Sequence, residues 1–236
     1  DLTDDLGTDQ LDLADDEHME QMRSLMTRPT PWGATRTPPS ATELRKWAEM
    51  DATGGSRSWR VPEPSVTVDD GDEVDLGGRP WLALHTPGHT HDHLCLFDPV
   101  DGILLSGDHV LPTITPHIGG IGPLDDPLAT FFRSLERMKE LSGLTAVLPA
   151  HGHPFTDVSG RVDDIVGHHE ERLETIREAG HDLGKGTVES FMQRLFKERS
   201  WGDMAASETY AHLEHLRILG QATRDEIAGQ AVYLTH

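Results

Sequence analysis

The sequence predicts a mixed α/β protein in which helices pack as layers against β-sheet. Valines and polar residues alternate from Ser65 to Gly88 around DDGD and GG turns, a pattern typical of successive β-strands. Apolar residues then recur at helical spacing from Asp126 to Leu141. The short apolar stretch TAVLP that follows indicates a further buried strand. This β-β-β-α-β order favours a layered domain over a helical bundle.

The first 60 residues show helix and loop patterns instead of strand patterns. Met19, Met22, Leu25 and Met26 recur at three- and four-residue steps, which predicts an amphipathic helix in an acidic segment. Residues 29–40 hold four prolines and are predicted to form a loop. A short helix is expected over residues 41–50. We therefore treat residues 1–60 as a helical and linker segment of a first domain that ends near residue 164.

Two apolar strands are expected in HLCLFDPVDGILLSGD, joined by the turn DPVDG. Cys95 lies in the first of them and is predicted to be a small core residue. As the single cysteine of the chain, it excludes internal disulfides and zinc sites built on paired cysteines.

The C-terminal part, residues 165–236, reads as three helices followed by two short strands, which predicts a winged-helix-like domain. From Glu170 onward it holds twelve acids and eight bases, so a packing, lid or dimer-contact role is favoured over DNA binding. The expected helices are Ile165–Ala179, Thr187–Lys197 and Ala205–Leu219, and the expected strands are Gln221–Arg224 and Ala231–Leu234.

Charge narrows the range of partners. The 41 acidic and 20 basic residues give a net charge of −21, which disfavours nucleic acids and anionic membranes and leaves a small molecule as the expected substrate. No apolar run approaches the ~18 residues of a transmembrane helix. The start, DLTDDLGTDQ, lacks the basic and apolar regions of a signal peptide. With one cysteine, a cytoplasmic location is expected.

Three short stretches carry the chemistry: TPGHT with His89, SGDH with Asp108, and PAHGH with His151. Each follows an apolar strand and has small residues beside the histidine or aspartate. Such loop positions at one sheet edge can converge on a metal. Imidazole and carboxylate ligands accept Zn, Fe or Mn.

In this order, with gaps of 19 and 43 residues, the three stretches resemble the later motifs of the metallo-β-lactamase superfamily. The tail from HHEERLETI resembles the winged-helix extension of its lactamase-β-like and glyoxalase II-like branch. The resemblance covers roughly residues 60–236. It implies a four-layer αββα sandwich with a two-metal site at one edge of the sheets.

The resemblance also implies roles for these residues. His89 would complete the ligand set of the first metal, Asp108 would bridge both ions and position the water, and His151 would bind the second ion. Zinc is the expected metal, with iron or manganese as alternatives. The implied activity is attack of a metal-bound hydroxide on a small thioester, ester or lactone.

One part of the family pattern has no match. The motif HxHxDH should lie upstream, yet His18 is the sole histidine before His85, so three of about seven expected ligands are present. HTHDH at residues 89–93 does not replace the motif, because its aspartate follows the first histidine by three residues rather than four. Either the protein continues upstream of this chain, leaving the sandwich incomplete here, or it is a short protein that lost the site or takes ligands from another chain.

The remaining histidines have expected roles around the ligands. His109 and His153 either orient neighbouring ligands or face water, His117 is considered for a substrate contact, and His91 and His93 are assigned to second-sphere or solvated positions. His168 and His169 are expected at the surface. Two rival functions stay open: an endoribonuclease of the same superfamily, which the net charge disfavours, and a non-catalytic interaction protein. A homodimer is a further expectation.

Overall fold

The computed structural model describes residues 28–35 and 66–236. The helices predicted near residues 19–26 and 41–50 lie outside the described residues. The chain divides into two compact units, residues 1–66 and 67–236. In the first unit, residues 28–35 form a turn without helix or strand, closed by the amide of Ala34 donating to Thr30 Oγ1 at 2.9 Å. This agrees with the predicted loop over that part of residues 29–40.

A five-stranded mixed sheet forms the first half of the second unit. Its order is β1-β2-β3-β4-β5, and all neighbours are antiparallel except β4 and β5, which are parallel. Cys95 on β3 is fully buried, as expected. Asp98 ends β3 and its side chain accepts the amides of Val100 and Asp101, which closes the predicted turn. The strands are β1 Glu73–Asp75, β2 Pro80–His85, β3 Leu94–Asp98, β4 Ile103–Gly107 and β5 Ala146–Pro149.

Helix α1, Pro127–Lys139, connects β4 to β5 and so makes their parallel pairing possible. Asp126 caps its first turn, because Oδ1 accepts the amide of Ala129 at 2.9 Å. Proline at the first helical position needs no amide partner there. Phe131 is the largest side chain that α1 buries completely, and it anchors the helix in the core.

Asp126 also joins α1 to the C-terminal part of the unit, since Oδ2 accepts Nδ1–H of His215 at 2.9 Å. Burial opposes its ionisation, but the His215 and Ala129 hydrogen bonds outweigh burial and hold the pKa of Asp126 below its usual value. A lowered carboxyl pKa adds stability that is present above the unfolded pKa of ~3.9 and is lost as the pH falls below it.

We therefore expect Asp126→Asn to lower the free energy of unfolding at pH 7 by about 1–2 kcal/mol. The difference from the wild-type protein should shrink as the pH falls from 5 to 3, because protonation removes the same charge. Urea unfolding at each pH measures this. Asp125→Asn, one residue away, is the control, and a pH-independent difference for Asp126→Asn would contradict the assignment.

Three α-helices and a three-stranded sheet follow β5, with the strands in the order β6-β8-β7. The order along the chain is helix, strand, two helices and a β-hairpin. The three helices and the hairpin were expected and strand β6 was not, and the winged-helix interpretation stays a prediction. The elements are α2 Val158–Leu183, β6 Lys185–Thr187, α3 Val188–Leu195, a 3-10 turn Glu198–Ser200, α4 Asp203–Ile218, β7 Ala222–Ile227 and β8 Gln230–Thr235.

Helix α2 starts earlier than expected, because Asp157 caps it by accepting the amide of Gly160 at 2.8 Å. It runs without a break through residue 164, the position of the predicted domain boundary. The expectation that His169 lies at the surface is wrong: it sits in the middle of α2 and is fully buried. Leu219, the last member of the predicted apolar stripe, lies past the end of α4 and is 53% exposed.

Helix α4 is buried on all sides from Ala205 to Leu216, although many of its residues are polar. Each polar side chain that faces the interior has a partner, as buried polar groups require. No helix in residues 66–236 is both long and apolar enough to cross a bilayer. The pairs are Ser207–Gly120, Glu208–Arg172, Thr209–Ala205, His212–His169, Glu214–Arg217 and His215–Asp126.

Candidate metal centre

Two of the three predicted ligands meet at the end of the parallel strand pair. Asp108 follows β4 and His151 follows β5, and Gly107 is in register with Pro149, so both side chains emerge at one sheet edge. Nε2 of His151 lies 3.5 Å from Oδ1 of Asp108. The side chain of His151 is 67% exposed, whereas that of Asp108 is 31% exposed. The edge is therefore open to solvent on the His151 side.

His89 comes to the same edge from the turn between β2 and β3. Its Nδ1–H donates to the carbonyl of His117 at 2.8 Å. Since Nδ1 carries the proton, the lone pair of a neutral ring is on Nε2 and is free to bind a metal. Gly88 permits this turn, because a Cβ there would lie 2.5 Å from Cβ of Phe131.

The ring of His93 holds the backbone of Asp108. The amide of Asp108 donates to its Nε2 at 3.2 Å, and its Nδ1 is 2.8 Å from Oγ1 of Thr86. The ring is partly buried, and burial lowers its pKa, which keeps Nε2 an acceptor at neutral pH. Gly107 has φ +53° and a Cβ there would lie 2.7 Å from Nε2 of His93. Only glycine therefore allows the strand to turn here against the ring.

One carboxylate oxygen of Asp108 is placed as a metal ligand would be. Oδ1 of Asp108 is buried and has no hydrogen-bond partner among the described residues. The 3.5 Å approach of His151 is longer than a good hydrogen bond, so the imidazole does not satisfy this oxygen. A buried carboxylate oxygen without a partner is costly unless a cation binds it. Asp108 and His151 thus fit a divalent metal.

His89 does not complete a compact three-ligand site with them. The possible ligand atoms of His89, Asp108 and His151 do not all lie within 4.8 Å of one another. Among the described residues, one other group of three does meet this limit. Two ions ~3.5–4 Å apart would account for this, because ligands of different ions are farther apart than ligands of one. The expected division of His89 and His151 between two metals, with Asp108 shared, stays a prediction.

The other predicted residues take different positions. His109 is fully buried between His93 and Phe131, with ring centroids 5.7 and 5.3 Å away, and burial lowers its pKa to about 3. It therefore does not face water. His117 supports His89 through its carbonyl, while its ring points to Glu208 at 3.2 Å. His153 and His91 are exposed.

The group with the closest donor atoms is His169, Glu208 and His212, all buried between α2 and α4. We interpret it as a hydrogen-bonded network. Nδ1–H of His212 donates to the carbonyl of Glu208 at 2.7 Å, and its Nε2 then accepts Nδ1–H of His169 at 3.0 Å. The guanidinium of Arg172 is paired with the Glu208 carboxylate. A divalent cation would have to compete with this buried positive charge.

One hollow lies beside Arg172 and another lies beside His89. The larger, about 680 Å³, lies between α2 and residues 113–115 and contains none of the predicted ligands. The smaller, about 180 Å³, is lined by His89. The smaller hollow is the one of the two that adjoins a predicted ligand, His89. Its apolar wall is formed by Ile121, Pro123, Leu124 and Pro127.

Comparison with known proteins identifies the family to which this chain belongs. The sequence pattern described as Metallo-beta-lactamase superfamily matches residues 19–151, more than half of the chain. The chain belongs to the metallo-β-lactamase superfamily. The superfamily match ends on His151 and includes His89 and Asp108. It also begins well before residue 60, where the motifs alone had placed the start of the resemblance, so that expected limit is wrong.

Curated relatives of this superfamily member are similar over part of their length. A hydroxyacylglutathione hydrolase from Idiomarina loihiensis is 34% identical over 106 residues, which are 44% of this chain and 39% of the relative. A Bacillus subtilis protein named Probable metallo-hydrolase YqjP is 30% identical over 159 residues, 64% of this chain and 48% of that protein. The chain thus spans less than half the length of these relatives.

Solved structures agree with the superfamily fold. A metallo-beta-lactamase family protein from Thermus thermophilus superposes with a TM-score of 0.67 at 28% identity, covering 84% of this chain and 66% of that chain. A beta-lactamase domain protein from Burkholderia ambifaria gives a TM-score of 0.69 at 31% identity, covering 75% of this chain and 54% of the other. The metallo-β-lactamase fold predicted from the motifs is therefore confirmed.

No sequence pattern predicted the ion pair between Glu208 on α4 and Arg172 on α2. Glu208 and Arg172 are separated by 36 positions and look like ordinary surface charges on amphipathic helices. Polar composition is no signal of burial, because a stretch such as ASETYAHLEH is equally typical of a solvent-exposed helix. The pairing depends on the packing of α2 against α4, which local sequence patterns do not specify.

Proposed function

We propose that this chain carries part of the two-metal site of a hydrolase that cleaves a small thioester, ester or lactone. The observation that carries the proposal is the buried, unpartnered Oδ1 of Asp108, 3.5 Å from Nε2 of His151. Metal-dependent hydrolysis at the level of the superfamily follows from the family match. A hydroxyacylglutathione hydrolase among the relatives supports a thioester, since acylglutathiones are thioesters.

The residues of this chain would hold the metals and orient the substrate. Asp108 and His151 would bind one ion, and His89 would offer Nε2 to the other, with Asp108 shared between the two. Zinc is the proposed metal, because nitrogen and oxygen ligands of this kind suit it. When bound, it lowers the pKa of its water and polarises the carbonyl oxygen of the substrate. His93 keeps Asp108 in place through the backbone amide.

The hollow beside His89 would receive the acyl group. A volume of about 180 Å³ is small compared with ~300–1,000 Å³ for sites of drug-sized ligands. Its apolar residues Ile121, Leu124 and Pro127 suit a short hydrocarbon substituent next to the reacting carbonyl. We therefore propose a small-molecule substrate with a short acyl chain.

The test is metal analysis and hydrolysis by the full-length protein. We expect bound zinc, iron or manganese, and turnover of a hydroxyacylglutathione thioester. His151→Ala should lower kcat/KM on the order of 100-fold or more, since loss of a mere support of a ligand costs ~10–100-fold. The matched control is His153→Ala, two residues away on the same exposed turn, which should retain activity.

Two results would overturn the proposal: a protein that binds none of the three metals, or equal activity of His151→Ala and His153→Ala. A salt-titrated RNA-binding assay addresses the endoribonuclease. Tight binding that weakens steeply with salt would favour that rival, because phosphate contacts release counterions. We expect weak binding at a net charge of −21.

A further inference from the structure

The turn that holds His89 depends on a second loop, residues 117–120. Because a carbonyl can only accept, the 2.8 Å contact fixes the proton of His89 on Nδ1 and aims Nε2 away from His117. Without this acceptor the ring could rotate or change tautomer. The position of the His117 backbone thus decides whether His89 presents a metal-binding lone pair.

That backbone is in turn clamped to α4. The ring of His117 donates from Nδ1 to Oε2 of Glu208 at 3.2 Å. Three residues on, the amide of Gly120 lies 3.1 Å from both the carbonyl oxygen and Oγ of Ser207. The fit is tight, because a Cβ on Gly120 would lie 2.4 Å from Cδ1 of Tyr210. Both ends of the loop are therefore tied to the first two turns of α4.

Glu208, which contacts the loop, is also held in place by α2. Its other oxygen pairs with Arg172 on α2, whose guanidinium also stacks over Phe196, 4.6 Å from the ring centroid. The carboxylate is 10% exposed and the Arg172 side chain 21% exposed. An ion pair held on both sides in low dielectric has little freedom to move. It can serve as a rigid reference point for His117.

We infer that Glu208 is a positioning residue for the metal ligand His89, acting through His117. The inference rests on the proposed function and deepens it: the C-terminal helices set the geometry of the metal site. Second-sphere carboxylates commonly orient a ligating histidine directly. Here one residue, His117, intervenes, receiving the carboxylate on its ring and holding His89 by its carbonyl.

The experiment compares Glu208→Ala, Glu208→Gln and Glu214→Ala in the full-length protein. Glu214 is the matched control, because it lies on the same helix, is similarly buried, and pairs with Arg217 and Arg224 instead of the loop. Two quantities are measured: the tautomer of His89 in the metal-free protein, by 1H–15N NMR, and the Kd for zinc.

In the wild-type protein we expect the Nδ1–H tautomer of His89. Glu208→Ala should give a tautomer mixture and raise the zinc Kd about 10–100-fold. Glu208→Gln keeps an oxygen acceptor for His117, so it should restore most of the wild-type tautomer and affinity. Glu214→Ala should lower stability while leaving both readouts unchanged.

The inference is overturned if Glu208→Ala matches the wild type in both readouts, or if Glu214→Ala changes them equally. Should Glu208→Ala fail to fold, the comparison of Glu208→Gln with Glu208→Leu decides, since they are similar in size and only the amide accepts. A wild-type protein that binds none of zinc, iron and manganese would refute the proposed function, while the tautomer measurement would still decide the role of Glu208.

Discussion

Acidification from pH 7 to pH 5 is expected to remove about 4 kcal/mol of folding stability through His169 and His212. Both rings are fully buried, and burial lowers the pKa of each far below the usual value for histidine. The unfolded chain binds protons near pH 6.5, whereas the folded chain stays neutral at these positions. The stabilising difference is thus present above pH 6.5 and lost as the pH falls below it, by about 2 kcal/mol per histidine at pH 5.

Urea unfolding at pH 7, 6 and 5 measures this loss. The double variant His169→Gln/His212→Gln should be less stable at pH 7 but lose about 4 kcal/mol less on acidification, since amides do not titrate in this range. His181→Gln, an exposed histidine in the last turn of α2, is the control and should keep the wild-type pH dependence. If the free energy of unfolding falls equally with pH in the double variant and in the wild type, the two histidines are not neutral in the folded protein. The charged or titratable groups around the pair are His117, His168, Arg172, Glu208 and His215.

Phe131→Ala is expected to lower the free energy of unfolding by about 3–5 kcal/mol, the usual result of removing a buried aromatic ring. Phe131 is fully buried on α1, between the turn that contains His89 and helix α2. Its ring makes edge contacts with His109 at 5.3 Å and with His169 at 5.8 Å, and its backbone abuts Gly88. The cavity would therefore adjoin both the turn of His89 and the helix pair that supports it.

The neighbouring Phe132 provides the comparison. It is partly exposed and contacts His169 and His215, so Phe132→Ala should cost clearly less. Chemical unfolding at pH 7 gives both values. If the two alanine variants lose equal stability, Phe131 is not the central packing residue of this fold. Phe131→Leu should fall between them, because leucine fills part of the cavity.

Sequence patterns predicted most elements of the second unit because those elements depend on local chemistry. Two apolar stretches joined by the DPVDG turn located β3 and β4, and the apolar helical spacing after Asp126 located α1. The start of α2 was missed, since a single capping residue, Asp157, decides it. The metallo-β-lactamase family also followed from local patterns: three short motifs whose small residues and spacing are constrained by strand ends.

The sequence by itself determined which residues have the chemistry of ligands, namely His89, Asp108 and His151. Only the tertiary structure decided which of them meet, since the parallel pairing of β4 and β5 brings Asp108 to His151 across 43 positions. It also decided that His169 is interior and that Glu208 holds the loop behind His89. The reason is physical: a polar side chain on a helix has the same local pattern in water and in a core. Whether it is solvated or paired depends on a partner far along the chain, and that partner is set by packing.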